Sequence, residues 1–271
     1  MAAKSRMPAL IDSHCHLDDA AFDTDRGVVL SHAAEAGIDS IVVPAISARY
    51  WPRLRAVVAT DARLFAAYGL HPMYLPEHRP EHLTALREWI TRERPVAVGE
   101  CGLDFYVGKL DVDAQIDFFT AQLRLAREFD LPVIVHARRA VDEVIKYLRR
   151  FPGLRGVVHS FAGSLQQAER LFANGFLLGL GGPLTYPRAQ RLRRVAAALP
   201  LEAILLESDA PDQPGIAHRG QRNEPAFIGE VRDTLADLRQ VSPTLIAQAS
   251  TRNARALFGP PLMGVDESVT D

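Results

Sequence analysis

The sequence lacks the features of a disulfide-rich, membrane-spanning or secreted protein. It has only two cysteines, Cys15 and Cys101, in 271 residues, too few for a disulfide framework. It has no run of about 20 apolar residues, the length that a transmembrane helix needs. Its opening segment, MAAKSRMPAL, is too short and too polar for a signal peptide. We therefore predict a cytoplasmic protein with no membrane association.

The sequence also lacks a strong excess of charge of either sign. The formal net charge is −2 at pH 7, whereas domains that bind duplex DNA tightly are usually strongly basic. A nucleic-acid substrate stays compatible with this balance if metal ions supply positive charge locally. Neither GxSxG nor HExxH occurs, so the motifs of an esterase nucleophile and of a zinc protease are both missing.

What the sequence does contain is a regular alternation of short apolar runs and amphipathic segments. Eight such runs begin with PALIDSHCH and end with AILLESDAP, and markers at their carboxyl ends are 23 to 36 residues apart. This alternation indicates βαβ units and a parallel sheet. Eight even units predict a (β/α)8 TIM barrel over residues 8–259, with a doubly wound open sheet as the alternative. Residues 260–271 are expected to form a flexible tail.

Polar residues stand where several of these runs end. In IDSHCHLD, His14 and His16 are two residues apart, so on a strand their side chains share one face while Cys15 points away. Imidazole is a common ligand of divalent transition metals. Later runs end in four further candidate ligands, which are Glu100, His136, His159 and Asp209.

These six residues are expected to meet, because the carboxyl ends of barrel strands converge on one face. A single histidine at a strand end is more often an ordinary polar residue than a ligand, but six candidates at one level favour a metal centre. Six nitrogen and oxygen ligands exceed one tetrahedral site, so two ions are predicted, bridged by the middle-strand carboxylate Glu100. Asp209 is a candidate ligand that also accepts the proton of the attacking water.

Eight segments together resemble the motif series of the TatD family of metal-dependent deoxyribonucleases, within the amidohydrolase superfamily: DSHCHLD, YGLHP, GECGLDFY, LPVIVHAR, VVHSFAG, LLESDAP, RNEP and STRNARALFG. GSLQQAERL and GGPLTYPRA are more similar to its YjjV-like branch. The resemblance covers about residues 8–259. The sequence departs from the usual family pattern at Phe105, Ser160 and Ser208, and none of these departures removes a candidate ligand.

The resemblance implies a TIM barrel and a divalent-metal hydrolase whose leading activity is cleavage of phosphodiester bonds in DNA. It implies that one ion is held by His14, His16 and Asp209, and that a second is completed by His136 and His159, with Glu100 bridging the two. Family members are described with magnesium, manganese or zinc. Exonuclease action from the 3' end of single-stranded DNA is likewise implied by the family alone.

Three more residues are predicted to act around the ions. His71 in YGLHP would contact the scissile phosphate, or it would merely cap the turn before Pro72. Asp104 would orient a ligand histidine or contact substrate. Arg138 would meet a phosphate or be an ordinary surface arginine. Four aromatic residues in the predicted loops could stack bases, although at least two are expected in the core; they are Phe105, Tyr106, Phe161 and Tyr186.

Three classes of function stay open at this level. The first is a nuclease acting on single-stranded DNA or DNA ends, without an obligate protein partner. The second is a metal-dependent ester or amide hydrolase, such as a D-aminoacyl-tRNA deacylase or a hydrolase of small cyclic amides or lactones, because fold and ligands do not decide the substrate. The third is a non-catalytic scaffold that metal stabilises. A steep salt dependence would separate the nuclease from a hydrolase of small substrates.

Overall fold

Eight parallel strands in chain order form the sheet of the computed structural model, which describes residues 8–108 and 110–262. The strands are β1 Leu10–Asp12, β2 Ile38–Pro44, β3 Leu64–Tyr68, β4 Ala97–Asp104, β5 Val133–Arg138, β6 Gly156–Val158, β7 Phe176–Leu180 and β8 Ile204–Leu206. The last strand returns to the first, where the N–H of Ser13 donates to the carbonyl oxygen of Leu206 at 3.1 Å. The TIM-barrel prediction is therefore confirmed, and the open-sheet alternative was wrong.

Helices surround the sheet. They are α1 Arg26–Glu35, α2 Trp51–Val58, α3 Glu81–Glu93, α4 Val112–Glu128, α5 Val141–Leu148, α6 Leu165–Ala173, α7 Gln190–Ala198, α8 Ile228–Arg239 and α9 Pro243–Phe258. Side chains cap the amino ends of α4, α6 and α9. Ser164 and Gln167 form a capping box that starts α6. Ser242 caps α9, with Pro243 in the first turn, where a missing N–H costs nothing. Within residues 8–108 and 110–262, no helix has the length and apolarity to cross a membrane.

A separate apolar cluster closes the lower part of the barrel. Strand residues such as Ile11, Val42 and Ile134 pack there against α9. Leu262 joins this cluster and is 1% exposed, because residues Pro260–Leu262 form a short 3-10 helix beneath the barrel. The predicted tail at 260–271 was therefore wrong for its first three residues, while 263–271 lie outside the described residues. An apolar floor leaves polar groups to collect at the opposite, carboxyl end of the strands.

The sequence predicts that every later candidate ligand stands at the end of a strand. The structure shows that some of them do not. Glu100 and His136 lie within β4 and β5, which extend four and two residues beyond them. His14 and His159 follow their strands directly or nearly so, and Asp209 lies three residues after β8. The longer middle strands carry the barrel wall past the ligands, so the metal centre lies below the rim.

Candidate metal centre

Four side-chain atoms meet in one compact cluster; they come from β4 and from the segments that follow β1 and β8. The Nε2 atoms of His14 and His16 are 3.2 Å apart. Oε2 of Glu100 lies 3.2 and 3.5 Å from them, and Oδ1 of Asp209 lies 3.6 and 3.7 Å from them. A tetrahedral ion with ligand distances of about 2.0–2.1 Å has ligands about 3.3–3.4 Å apart. The spacing of these atoms therefore fits a small divalent cation.

A second cluster forms on the other oxygen of the same carboxylate. Oε1 of Glu100 lies 3.1 Å from Nδ1 of His136 and 2.7 Å from Nε2 of His159. The two imidazole nitrogens are 3.3 Å apart. Glu100 thus presents one oxygen to each cluster, which is the arrangement of a carboxylate that bridges two ions.

Hydrogen bonds behind the histidines decide which ring nitrogen carries a lone pair. Nε2 of His136 donates to Oδ2 of Asp104 at 2.9 Å, which leaves Nδ1 free to face Glu100. Nδ1 of His16 donates to the carbonyl oxygen of Pro44 at 3.2 Å, which leaves Nε2 free. Ligand histidines are commonly oriented by acceptors of this kind. Both free nitrogens point into the clusters just described.

His71 is placed differently from the ligand histidines. Its Nδ1 accepts the backbone N–H of Met73 at 3.1 Å. The proton of the neutral ring is therefore on Nε2, which lies 2.9 Å from Oε1 of Glu100 and donates to it. His71 accordingly joins the cluster of candidate ligands as a hydrogen-bond donor to Glu100. Its predicted contact with a phosphate stays a prediction.

The charges of the centre are strongly coupled. Burial alone would raise the pKa of Glu100, but His159, His71 and His14 outweigh it and hold that pKa well below its usual value. Burial and the neighbouring His159 lower the pKa of His14, which keeps its ring neutral. Burial opposes the charged form of His159, yet the Glu100 carboxylate raises its pKa to about 10. The centre thus favours positive charge beside Glu100.

A buried carboxylate oxygen that lacks a hydrogen-bond donor indicates whether these residues suit a metal ion. Oε2 of Glu100 is buried and has no hydrogen-bond partner among the described residues, although two imidazole nitrogens face it. A buried carboxylate oxygen without a donor is costly, and a cation at this position would satisfy it. The donor set of imidazole nitrogens and carboxylate oxygens suits divalent ions such as zinc or manganese. The residues present therefore fit a metal centre.

Two residues that support the centre were missed in the sequence. Glu207 is fully buried, with Oε1 accepting the N–H of Ser160 at 2.5 Å and lying 3.8 Å from Nδ1 of His159. Burial raises its pKa to about 8, although His159 opposes the shift. Gln213 donates to Oδ2 of Asp209. Glu207 had a signal, since it stands two residues before Asp209 in LLESDAP; Gln213 had none.

Glu207 depends on a glycine in the adjacent strand. A Cβ on Gly179 of β7 would lie 2.0 Å from Oε2 of Glu207, well inside van der Waals contact. Only glycine at this position leaves room for the carboxylate. The lack of a side chain at this point of β7 therefore determines how closely Glu207 approaches His159.

A cavity of about 1130 Å³ opens above the ligands and includes Arg138 in its wall. Asp104 is 1% exposed and its Oδ1 accepts the N–H groups of Tyr106 and Val107, so the geometry favours its predicted orienting role. Phe161 is buried and Phe105 packs against the core, as expected for two of the four loop aromatics, whereas Tyr106 is 50% exposed.

Both cysteines are buried and free, and neither belongs to the clusters that could hold a metal. Cys15 packs in the main core cluster between the two ligand histidines of the first strand. Its Sγ lies 3.7 Å from the carbonyl oxygen of Ala210, on the segment that follows β1. Cys101 is the neighbour of Glu100 on β4, and burial raises the pKa of its thiol well above the range of a reactive thiol.

Comparison with known proteins agrees with this geometry. Residues 11–259 match the family model described as TatD related DNase. The chain is 43% identical to the "Uncharacterized metal-dependent hydrolase YjjV" of Escherichia coli (strain K12), over 93% of this chain and 98% of that protein. The crystal structure of YjjV has a TM-score of 0.88, covering 92% and 97% of the two chains.

A further relative carries a name that states an activity. The "3'-5' ssDNA/RNA exonuclease TatD" of Erwinia amylovora is 33% identical over 260 residues, which cover 92% of this chain and all of that protein. The family match extends through every strand and every candidate ligand described above. The chain belongs to the TatD family and is a metal-dependent hydrolase.

Proposed function

We propose that this protein is a deoxyribonuclease that removes nucleotides from the 3' end of single-stranded DNA with two divalent ions, which are magnesium, manganese or zinc. The observation that carries the proposal is the position of Glu100, whose two oxygens each face a separate set of imidazole nitrogens. Two-metal sites of this kind are common in nucleases and phosphatases. The exonuclease name of the Erwinia amylovora relative supports the choice of substrate.

The ligands divide between the two ions as the distances suggest. His14, His16 and Asp209 would hold the first ion, and His136 and His159 would hold the second. Glu100 would bind both. Divalent ions bound there supply a hydroxide nucleophile near neutral pH and polarise a phosphoryl oxygen.

The chain's own groups complete the proposed reaction. Asp209 accepts the proton of the attacking water, and Gln213 holds its second oxygen so that Oδ1 stays directed at the ligand histidines. His71 holds Glu100 and Asp104 holds His136. These buried hydrogen bonds keep the ligands in place before substrate binds, which preorganises the site.

The cavity above the centre fits a strand end better than a duplex. Loops that follow β1, β4, β5 and β6 surround it, and the ligands lie at its base rather than on an open surface. A single strand can enter such a recess, and its terminal phosphodiester then reaches the metal centre. A duplex would have to separate first.

The test is cleavage of end-labelled single-stranded DNA with magnesium or manganese, using the wild type, Glu100→Ala and an EDTA control. Glu169→Ala is the matched control, because this exposed glutamate on α6 lies away from the ligands. Mononucleotide release from the 3' end by the wild type and Glu169→Ala, but not by Glu100→Ala, is expected.

Failure to cleave DNA would change the proposed substrate. If the protein bound about two ions per chain yet left the oligonucleotide intact, the metal centre would stand and the nuclease would not. The substrates to try next are then esters and amides, including a D-aminoacyl-tRNA, a small cyclic amide and a lactone.

A further inference from the structure

Two consecutive arginines at the end of β5 stack on one aromatic ring. The guanidinium carbons of Arg138 and Arg139 lie 3.8 and 4.6 Å from the ring centroid of Tyr106. Neighbouring residues on a strand normally point to opposite sides. Arg139 has a φ of 54°, a left-handed conformation that interrupts the alternation and turns its side chain to the same ring. Non-glycine residues in this conformation are uncommon and cluster at functional sites.

Neither guanidinium is neutralised by a residue that the structure describes. Within residues 8–108 and 110–262, the side chains of Arg138 and Arg139 make no hydrogen bond and no ion pair. The other arginines of the cavity wall are engaged, since Arg53 donates to the carbonyl oxygen of Asp18 at 2.6 Å and Arg191 donates to that of Ala162 at 2.7 Å. Each unpaired guanidinium keeps five N–H donors for an anion.

The pair is also tied to the metal centre through the backbone. His136 and Arg138 are alternate residues of β5, so they share a face with their Cα atoms about 7 Å apart. Tyr106 donates its N–H to Asp104, the residue that holds His136. The two arginines line the same cavity as His136 and Glu100, so an anion bound to them would lie on the cavity wall that carries the second cluster.

Acidic residues on the same rim do not cancel this charge. Asp142 accepts hydrogen bonds from Gln167 and Arg170, and Glu143 pairs with Lys146 at 2.9 Å. Their carboxylates are engaged with their own partners on α5 and α6. Arg138 and Arg139 are therefore the arginines of the cavity wall whose guanidiniums have neither a hydrogen bond nor an ion pair within the described parts of the chain.

We propose that Arg138, Arg139 and Tyr106 form an arginine clamp that binds the phosphate next to the one being hydrolysed. The inference rests on the proposed nuclease function and specifies its substrate as a strand with at least two phosphates. The cation–π contacts hold both guanidiniums beside the ring, and a planar guanidinium binds a phosphate through two parallel hydrogen bonds.

The test is binding of a fluorescein-labelled oligothymidylate, followed by anisotropy at several salt concentrations in the Asp209→Asn background with manganese. The variant is Arg138→Gln/Arg139→Gln. Arg150→Gln is the matched control, because Arg150 stacks on Tyr147 at 4.5 Å in the same manner but lies outside the cavity wall. We expect Kd to rise about tenfold, and the slope of log Kd against log salt to fall by about 0.7 for each phosphate that the variant no longer binds.

A second readout compares substrates of different length. In the otherwise unaltered enzyme, the clamp variant should lose about tenfold more kcat/KM on the oligonucleotide than on bis(p-nitrophenyl) phosphate, because that diester has a single phosphate. Arg138→Lys/Arg139→Lys, which keeps the charges but loses planar stacking, should fall between wild type and the glutamine variant.

The outcomes separate the clamp from the nuclease proposal. Unchanged Kd and salt slope in the clamp variant, or an equal loss in Arg150→Gln, would overturn the clamp even if the enzyme cleaves DNA. Loss of binding in the clamp variant alone supports the clamp, and it does so even if DNA is bound but never cleaved. If the oligonucleotide does not bind the Asp209→Asn protein with both arginines intact, the clamp proposal is overturned.

Discussion

His71 donates a hydrogen bond from Nε2 to Oε1 of Glu100, with 2.9 Å between the two atoms. The donor is fixed because the backbone N–H of Met73 occupies the lone pair on Nδ1. The sequence predicts that His71 contacts a phosphate or caps the turn before Pro72; in the structure it accepts the Met73 N–H and also holds the Glu100 carboxylate. This relationship has a direct experimental consequence.

Replacing His71 by phenylalanine should weaken metal binding without removing an ion from the stoichiometry. The bridging carboxylate would lose a buried donor, and losses of this kind lower metal affinity or activity by about 10- to 100-fold. Metal content per chain at saturation, measured by elemental analysis beside a titration of affinity, distinguishes the two roles. His32→Ala, at an exposed histidine paired with Glu224, is the control. A drop of one ion at saturating metal would make His71 a ligand instead.

Replacing Asp104 should act through His136 rather than through substrate. Asp104→Ala removes the acceptor of the His136 Nε2–H group, and Asp104→Asn restores an acceptor oxygen without the charge. We expect metal affinity to fall about 10- to 100-fold for alanine and by less for asparagine. KM at saturating metal should change little in either variant. A large rise of KM with normal metal affinity would support a substrate contact.

Metal binding should release protons and weaken on acidification. Burial disfavours charge on His159, but Glu100 raises its pKa to about 10, so the ring is protonated at neutral pH in the metal-free protein. An ion that takes Nε2 must displace this proton. Affinity should therefore rise with pH, up to about tenfold per unit for one proton. Calorimetry in two buffers of different ionisation enthalpy measures the number released, and identical heats would contradict the prediction.

The raised pKa of His159 also affects the stability of the metal-free protein. The pKa of His159 in the folded protein lies above the usual value of about 6.5. The proton on His159 therefore contributes its full stabilisation of the fold at pH values below about 6.5. The contribution is lost as the pH rises through about 10. Chemical unfolding of the metal-free protein at several pH values should show this decline, and His159→Gln should make it shallower.

Gly179→Ala should destabilise the barrel through Glu207. The added Cβ would meet Oε2 of Glu207 at 2.0 Å, which forces the buried carboxylate or β7 to move. Overpacking of this kind costs about 1–3 kcal/mol, and Tm falls by about 2–4 °C for each kcal/mol in a chain of this size. Gly27→Ala is the control, because no atom lies within 4 Å of its Cβ position. Equal Tm values for both variants would contradict the packing argument.

The barrel and the types of candidate ligand could be predicted from the sequence, because both depend on local patterns along the chain. The alternation of apolar runs and amphipathic segments is visible along the chain, and it predicts parallel strands whose carboxyl ends converge. His14 and His16 are recognisable as candidates by their two-residue spacing, although both follow the end of β1. Glu100, His136 and Asp209 follow apolar runs, so their convergence follows from the fold once the fold is known.

The role of each side chain was decided by contacts between residues that are far apart in the chain. The hydrogen bond from His71 to Glu100 depends on Met73, which occupies Nδ1, and on a carboxylate 29 positions later in the chain. Gln213 reaches Asp209 only because the loop after β8 folds back.

The chain alone therefore determined which chemistry is available: imidazoles and carboxylates on the converging strands of a barrel. The tertiary structure decided how that chemistry is arranged. Hydrogen bonding selects one ring nitrogen in His16, His71 and His136, and burial and neighbouring charges set the pKa of His159. The left-handed conformation of Arg139 brings two guanidiniums to one ring. These effects act through space over a few ångströms, and sequence separation carries almost no information about such distances.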